Sequence, residues 1–567
     1  MSAPRPLVHQ PCAVCGEESA FRCSGCRLLH YCSKEHQRQD WKAGHRAHCK
    51  PFQIRTSEAV GRHVVAARDL PPGSLIMAEE PLVVAPKQWT PPICLGCLGP
   101  VGSSSPPCPR CGWPMCRDAC SAAPAHQPEC SYVQRRRCGS DGDGWKVRVR
   151  EFNYCHPLYH SVSLLRCLHL RDHKAAQWHK FINLASHEEA REQRRKEGDD
   201  DDGEKVIKFT VSFFRLQEKD ADDLRKIFGI LLVNGHEVPR SNDQAGGPCF
   251  LAVYESASML EHNCVANCTK RFTQYGEIEV RTTTLVSKGS RLSISYTDPL
   301  WGTVDRRKHL SLSKYFFCSC PRCEDPTELG TFIGAIKCRS CHNGYCVPVL
   351  NGHSSSEIKR LSSYEWICFG KPVADATRDR GCGNVISFDK AMDILEPIGM
   401  KLSALESDNL AATQEFLRLY CGNVLHKNHH FMTDARLGLV RALQQRLPVF
   451  DKINSTKEPP EAKLLELTCQ DLLDVVEKMC PGMTEIRGVL LYELNVNYLS
   501  TILEKNGKIP FLNNATEGRL NVFREAVAAL LCCATGSSSA LRAKRGQQLL
   551  GAFERLHPTC NTTKSTS

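Results

Sequence analysis

Cysteine and histidine recur in this chain at spacings that suit metal ligation, and the chemistry they point to is tetrahedral zinc binding. The first group is Cys12-x2-Cys15, Cys23-x2-Cys26, Cys32-x3-His36 and His45-x3-Cys49. Eight ligands make two closed sites, and a closed site leaves no position for water or substrate, so its role is structural. His48 competes with His45, but the three-residue spacing to Cys49 favours His45. The same grammar returns in Cys94-x2-Cys97, Cys108-x2-Cys111, Cys116-x3-Cys120 and His126-x3-Cys130. A third group, Cys318, Cys320 and Cys323, has three ligands and needs a fourth from elsewhere. The fourth, Cys338-x2-Cys341 with Cys368 and Cys382, reads as a small zinc ribbon, with Cys346 an alternative to Cys368.

The rest of the composition frames that reading. A chain of 567 residues exceeds one hydrophobic core, so several domains are expected. Met1 to Pro6 carries no apolar stretch of signal-peptide type, and no run of 18 apolar residues occurs. We therefore expect an intracellular protein, cytoplasmic or nuclear, with no membrane span. Its 33 cysteines then sit in a reducing compartment, where zinc rather than disulfide accounts for them. The formal charge of +11 assumes neutral thiols. Twenty-one zinc-bound thiolates and six dications bring it to about +2, so charge gives no ground for nucleic-acid binding.

These ligands must be positioned by surrounding elements. Gly61 to Ile76 alternates short apolar runs around Pro71-Pro72-Gly73, a pattern that predicts a β-hairpin. Glu188 to Lys205, with Asp199 to Asp202, is mixed charge running into acidity and reads as a solvated helix end and loop. Arg291-Leu-Ser-Ile-Ser-Tyr296 ends a β-rich segment and precedes Asp298-Pro-Leu-Trp301 and the basic Arg306-Arg307-Lys308. From about 391 the apolar residues fall at helical spacing: Leu465, Leu472, Val475 and Met479, a break at Pro481-Gly482, then Ile486, Leu490, Leu494 and Tyr498, and finally Leu520, Phe523, Val527 and Leu530. Ser537 to Ser539 and the residues after Pro558 read as a loop and a loose end.

Tyr31-Cys32-Ser33-Lys34-Glu35-His36-Gln37 with Trp41-x3-His45 closely resembles a MYND finger. The resemblance implies interleaved ligation, with Cys12, Cys15, Cys32 and His36 on one zinc and Cys23, Cys26, His45 and Cys49 on the other. Residues 94–130 look like a second, degenerate finger, pairing Cys94, Cys97, Cys116 and Cys120, and separately Cys108, Cys111, His126 and Cys130. The pieces in this order resemble the SET–MYND lysine methyltransferases over nearly the whole chain, and most of all their arthropod SmydA branch. That implies a multi-domain α+β fold: an N-terminal finger at 1–50, a first SET segment at 51–93, the finger insertion at 94–130 and a helical insert at 131–245. Core SET at 246–298, a post-SET zinc region at 299–328, a ribbon-like segment at 329–390, a tetratricopeptide-like helical domain at 391–556 and a tail at 557–567 would follow.

Residue by residue, Cys264 matches the cysteine of the family's Asn-His-Ser-Cys motif and would complete the Cys318, Cys320 and Cys323 site. Tyr296 matches the catalytic tyrosine, and Tyr315 and Phe316 the aromatic pair of the lysine channel. Arg62, His63, Asn234, Glu261, His262, Tyr296 and Phe316 fall where the family binds S-adenosylmethionine. His63 stands where a small residue is usual, and Glu261 where asparagine is. His426, His429 and His430 resemble a family motif at a helix start, with a structural role.

The implied activity is methyl transfer from S-adenosylmethionine to a protein lysine, on a histone or another protein, by a monomer carrying about six zinc ions. The alternative is a weakly active or inactive zinc-stapled adaptor or corepressor that binds proline-rich peptides through its fingers. Under that reading Tyr31 and Trp41 would form the docking groove. A RING-type ligase reading is disfavoured, because neither finger has Cys-x-His-x2-Cys spacing.

Overall fold

The computed structural model describes residues 11–58, 60–137, 146–196, 202–239, 249–273, 276–341, 343–351, 361–369, 380–406, 408–446, 460–505, 514–532 and 538–556. The acidic residues 199–201, Ser537 and the tail after 556 lie outside them. The chain forms two compact units, one of residues 1–68, 75–260 and 270–280, the other of residues 69–74, 261–269 and 281–567.

The first unit begins with a small ladder, Phe21–Arg22 against His30–Tyr31, and the helix Lys34–Asp40. Ser33 caps that helix, its Oγ accepting the His36 N–H at 3.1 Å, as serine does at an N-cap. Phe52–Ser57 pairs antiparallel with Gly61–Ala66, and Val83–Pro86 pairs with Cys249–Val253, whose other edge takes His236–Pro239. Among the described residues five helices follow the second finger group after Gln127–Arg137, including Pro157–His173 and Asp220–Asn234. Pro157 at the first helical position suits the helix start, where its missing N–H costs nothing. That helix buries Leu158, Val162, Leu165 and Leu168 at helical spacing and packs on the strand Val83–Pro86.

The expected hairpin across Pro71-Pro72-Gly73 does not form. Gly61–Ala66 pairs backwards with Phe52–Ser57, and Leu75–Glu79 belongs to a different sheet, beside Ile278–Thr282. Neither proline has an N–H to give a ladder. The flanking N–H groups of Leu70 and Gly73 instead donate to Val286 O and Thr282 O, both at 2.8 Å. The Pro-Pro-Gly segment is thus a crossover between sheets rather than a hairpin turn.

In the second unit Glu261–His262 runs parallel to Ser293–Ile294, with Glu261 opposite Ser293 and His262 opposite Ile294. The helix Thr303–Lys314 follows, then a four-stranded antiparallel sheet of Ile336–Lys337, Tyr345–Leu350, Tyr364–Phe369 and Arg380–Ser387. Among the described residues seven helices complete it, from Phe388–Ser403 to Ser538–Leu556. Leu465, Leu472, Val475 and Met479 are buried on their helix as the periodicity predicts. On Glu485–Lys505 the pattern is broader: Leu490, Leu491, Tyr492, Val496 and Leu499 are buried, whereas Tyr498 is exposed. This helix lies between Pro460–Met479 and Asn514–Leu531, so it buries two faces rather than one stripe. Gly482, at φ +77°, makes the turn between two of these helices, and a Cβ there would stand 2.1 Å from Thr283 O. The His426 to His430 motif sits at the start of the helix His430–Arg446, with His429 fully buried. Among the described residues no helix is long and apolar enough to cross a membrane.

Candidate metal centres and the residues around Tyr296

Knuckle turns and short helices bring the cysteines and histidines into quartets whose ligand atoms all lie within 4.8 Å of one another. They are Cys12, Cys15, Cys32 and His36; Cys23, Cys26, His45 and Cys49; Cys94, Cys97, Cys116 and Cys120; Cys108, Cys111, His126 and Cys130; and Cys264, Cys318, Cys320 and Cys323. A zinc–sulfur bond of about 2.3 Å in a tetrahedron requires sulfurs about 3.8 Å apart. Cys15–Cys32 at 3.6 Å, Cys23–Cys49 at 3.7 Å, Cys116–Cys120 at 3.6 Å and Cys264–Cys318 at 3.9 Å meet that test. Thiolate and imidazole donors in closed sets of four fit structural zinc. In the ribbon-like sheet Cys338 lies 3.6 Å from Cys382, and Cys341 lies 3.7 Å from Cys368, while Cys346 faces the Asn384 amide. His48 points away from the first finger's ligands, its Nδ1 3.1 Å from Gly44 O.

Two supporting groups escape the cysteine grammar. His126 presents Nε2 to Cys111 at 3.2 Å and gives its Nδ1–H to Glu129 at 2.9 Å. Arg166, from the helix Pro157–His173, grips both oxygens of Glu129 at 3.0 Å. Burial opposes the Glu129 charge, but Arg166 and His126 hold its carboxyl below the usual range. This carboxylate–imidazole pair fixes the tautomer that leaves Nε2 free to bind metal.

At the Cys264 quartet Arg306 plays the corresponding part. Its Nε reaches Cys264 Sγ at 3.2 Å and its Nη2 reaches Cys323 Sγ at 3.4 Å. Glu328 accepts from Arg306 at 2.7 Å and from Arg322 at 3.0 Å, all three side chains being buried. Of the basic Arg306-Arg307-Lys308 run, Arg306 is wholly buried and Arg307 is 5% exposed. Four thiolates on one zinc leave two negative charges, and Arg306 supplies the cation that a buried site of that charge needs.

Tyr296, Phe316 and His262 gather beside this quartet. Tyr296 and Phe316 pack on Cys264, Leu310, Cys318 and Cys323. His262 accepts the Tyr296 N–H on Nδ1 at 3.0 Å and turns Nε2 to Cys264 Sγ at 3.2 Å. Burial pushes its imidazole down to about 4, so it is neutral near pH 7. Burial and then the Glu261 carboxylate push the Tyr296 phenol up, so it stays protonated. The Lys314 ammonium lies 5.7 Å from the Tyr296 ring centre. Glu261 is paired with Arg291 at 3.3 Å, which offsets the carboxylate standing where asparagine is usual. Tyr315 ends its helix at φ 59°, a left-handed conformation unusual for a side chain of that size.

The remaining candidates belong to the first unit. Arg62 donates to Asn183 O, and His63 is buried with Nδ1 3.0 Å from Gly61 O. Asn234 spends its amide hydrogens on Ala185 O at 2.7 Å and Ile230 O at 2.9 Å. On the first finger Tyr31 is fully buried and donates to Asp40 at 2.5 Å, so it forms no docking surface; Trp41, at 38% exposure, does face solvent.

Comparison with known proteins agrees with this geometry. Residues 12–49 match the MYND finger family. Over 457 residues the chain is 24% identical to the SET domain-containing protein SmydA-8, isoform A, of Drosophila melanogaster, covering 78% of this chain and 88% of that one. It is 27% identical over 294 residues to the histone-lysine N-methyltransferase SMYD3 of Mus musculus, covering 47% and 59%. A solved SET domain, that of LSMT bound to lysine and AdoHcy, aligns over 92% of each chain at 12% identity with a TM-score of 0.25, too distant a likeness to add to the case. The metal centres and the match at residues 12–49 therefore define a multi-zinc protein with a MYND finger, similar to SET-domain proteins. Over most of its length the chain is similar to a SmydA-type protein.

Proposed function

We propose that this chain is an S-adenosylmethionine-dependent protein-lysine methyltransferase. The observation that carries the reading is Tyr296 held by His262 at the end of the Ser293–Ile294 strand, with the Cys264 quartet behind it. Glu261, His262, Tyr296 and Phe316 are the residues of this unit that would meet cofactor and lysine. S-adenosylmethionine, when bound, supplies an electrophilic methyl group; a C–N bond forms to lysine, the C–S bond breaks, and S-adenosylhomocysteine leaves. Tyr296 stays a neutral phenol whose oxygen can orient the methyl group through C–H···O contact. An apolar wall such as the Phe316 ring would disfavour the lysine ammonium and so favour the neutral amine that attacks. Neutral His262 fixes the Tyr296 backbone and moves no proton itself. The test is transfer of labelled methyl from S-adenosylmethionine to a cell-extract protein by the zinc-loaded chain. Transfer abolished by Tyr296→Phe supports the reading, and transfer unchanged by that variant removes the assigned role.

A second role is favoured by Trp41, exposed on a closed zinc finger. A MYND finger is a protein-interaction module, and we assign this one extended proline-rich peptides, which lay rings on exposed aromatic side chains. Loss of proline-rich peptide capture in Trp41→Ala with zinc retained supports it; unchanged capture opposes it. A monomer in the cytoplasm and nucleus is the setting we propose for both roles.

A further inference from the structure

A cavity of about 480 Å³ opens in the second unit, between the Cys318 to Pro326 loop and the strands Tyr345–Leu350 and Tyr364–Phe369. Neither Tyr296 nor His262 lines it. Its most telling wall is Arg307, only 5% exposed. The guanidinium lies 4.4 Å from the Phe317 ring centre, which fixes its plane. Nε donates to Cys318 O at 2.8 Å and Nη1 to the Tyr364 hydroxyl oxygen at 2.6 Å. Among the described residues no carboxylate pairs with it, in contrast to Arg306 and Arg322, which share Glu328.

The Tyr364 phenol accepts from Arg307, so its own hydrogen points onward to another acceptor. Tyr364 is 2% exposed and lines the same cavity. The buried floor therefore offers two donors, Arg307 Nη2 and the Tyr364 O–H, to one incoming group of oxygen acceptors. Pro348, Val349 and Leu350 make the side wall apolar. At the mouth stand Glu324, which is exposed, and Asp325, whose oxygens are spent on Thr327 and Leu329. Two acids at the rim repel phosphate and polyanions while leaving room for a single negative charge on an uncharged body.

We propose that this cavity binds a ligand carrying one carboxylate on an apolar body, with the carboxylate on Arg307 and Tyr364. Two sources share that chemistry, a free small carboxylate and the C-terminus of a peptide. The volume suits either, lying within the range of ordinary ligand pockets.

Calorimetric titration of the full zinc-loaded chain tests this with N-acetylleucine against N-acetylleucinamide, which differ only in the carboxylate. The acid is expected to bind at least about tenfold more tightly than the amide, since charge-assisted hydrogen bonds separate them. Tyr364→Phe keeps the ring and should weaken the acid several-fold while leaving the zinc content unchanged. It also avoids relying on Arg307, whose removal could disturb the Cys318 loop. Gly-Gly-Leu binding more tightly than free leucine would assign a peptide C-terminus, and the reverse order a small carboxylate. Equal binding of acid and amide, no binding of either, tighter binding of inorganic phosphate, or a Tyr364→Phe protein with unchanged acid affinity would each overturn the proposal.

Discussion

His262 stands between Cys264 and Tyr296, its Nε2 3.2 Å from the thiol sulfur and its Nδ1 3.0 Å from the tyrosine N–H. The imidazole thereby ties a zinc quartet to the residue assigned the central part in methyl transfer. His262→Leu keeps all four cysteine ligands but releases the Tyr296 backbone. We expect methyl transfer to fall at least about tenfold, because small misplacements of a positioned group are costly. Mass spectrometry of the intact protein should show unchanged zinc content. Loss of one zinc instead would make His262 a support of the metal site alone.

Glu328 accepts from two buried arginines, Arg306 and Arg322, beside the same quartet. Glu328→Gln removes the anion and leaves two buried cations without it. A loss of about 3–5 kcal/mol is expected, read from urea denaturation. Glu415→Gln, which breaks a fully exposed pair with Arg418, should leave the denaturation midpoint where it was.

The ribbon-like sheet yields a stoichiometric prediction. Cys368 faces Cys341 at 3.7 Å, whereas Cys346 faces Asn384. Native mass spectrometry should find six zinc ions in the intact chain, five in Cys368→Ala and six in Cys346→Ala. The opposite pattern for the two variants would exchange their roles.

Lys270 gives a pH dependence. It lies 3.2 Å from His236 Nδ1, and burial pushes its ammonium from 10.5 down to about 8. The unfolded chain therefore holds this proton more tightly than the folded one, so Lys270 weakens the fold below pH 8. That cost is relieved as pH rises from about 8 to 10.5. Lys270→Met should stabilise the protein at pH 7 by about 1–3 kcal/mol, with the gain shrinking towards pH 10. Urea midpoints of both proteins at the two pH values check it, and a gain independent of pH would contradict it.

What could be read from the sequence followed from how local its physics is. Cys-x2-Cys turns encode their metal geometry within a few residues, so the quartets were legible down to the partner Cys264 supplied by the family resemblance. The strand partner of Gly61–Ala66 was not, because alternation reports a strand without saying which neighbour it pairs with. The burial of Arg306 was not legible, since nothing in a run of three cations reveals that a distant Glu328 and four thiolates await the first of them. Glu129 and Arg166 were hidden for the same reason, 37 positions apart in sequence and joined only in the fold. Tyr31 looked like a surface aromatic because its partner, Asp40, lies nine positions on, at the far end of the helix Lys34–Asp40.

The central claim is that the residues around Tyr296 serve a methyl-transfer site despite Glu261 and His63. Calorimetric titration of the zinc-loaded chain with S-adenosylhomocysteine tests it most directly. The account predicts micromolar, one-to-one binding that is weakened in His262→Leu. A folded, zinc-replete protein that binds no S-adenosylhomocysteine would contradict it and leave the finger-borne adaptor role standing.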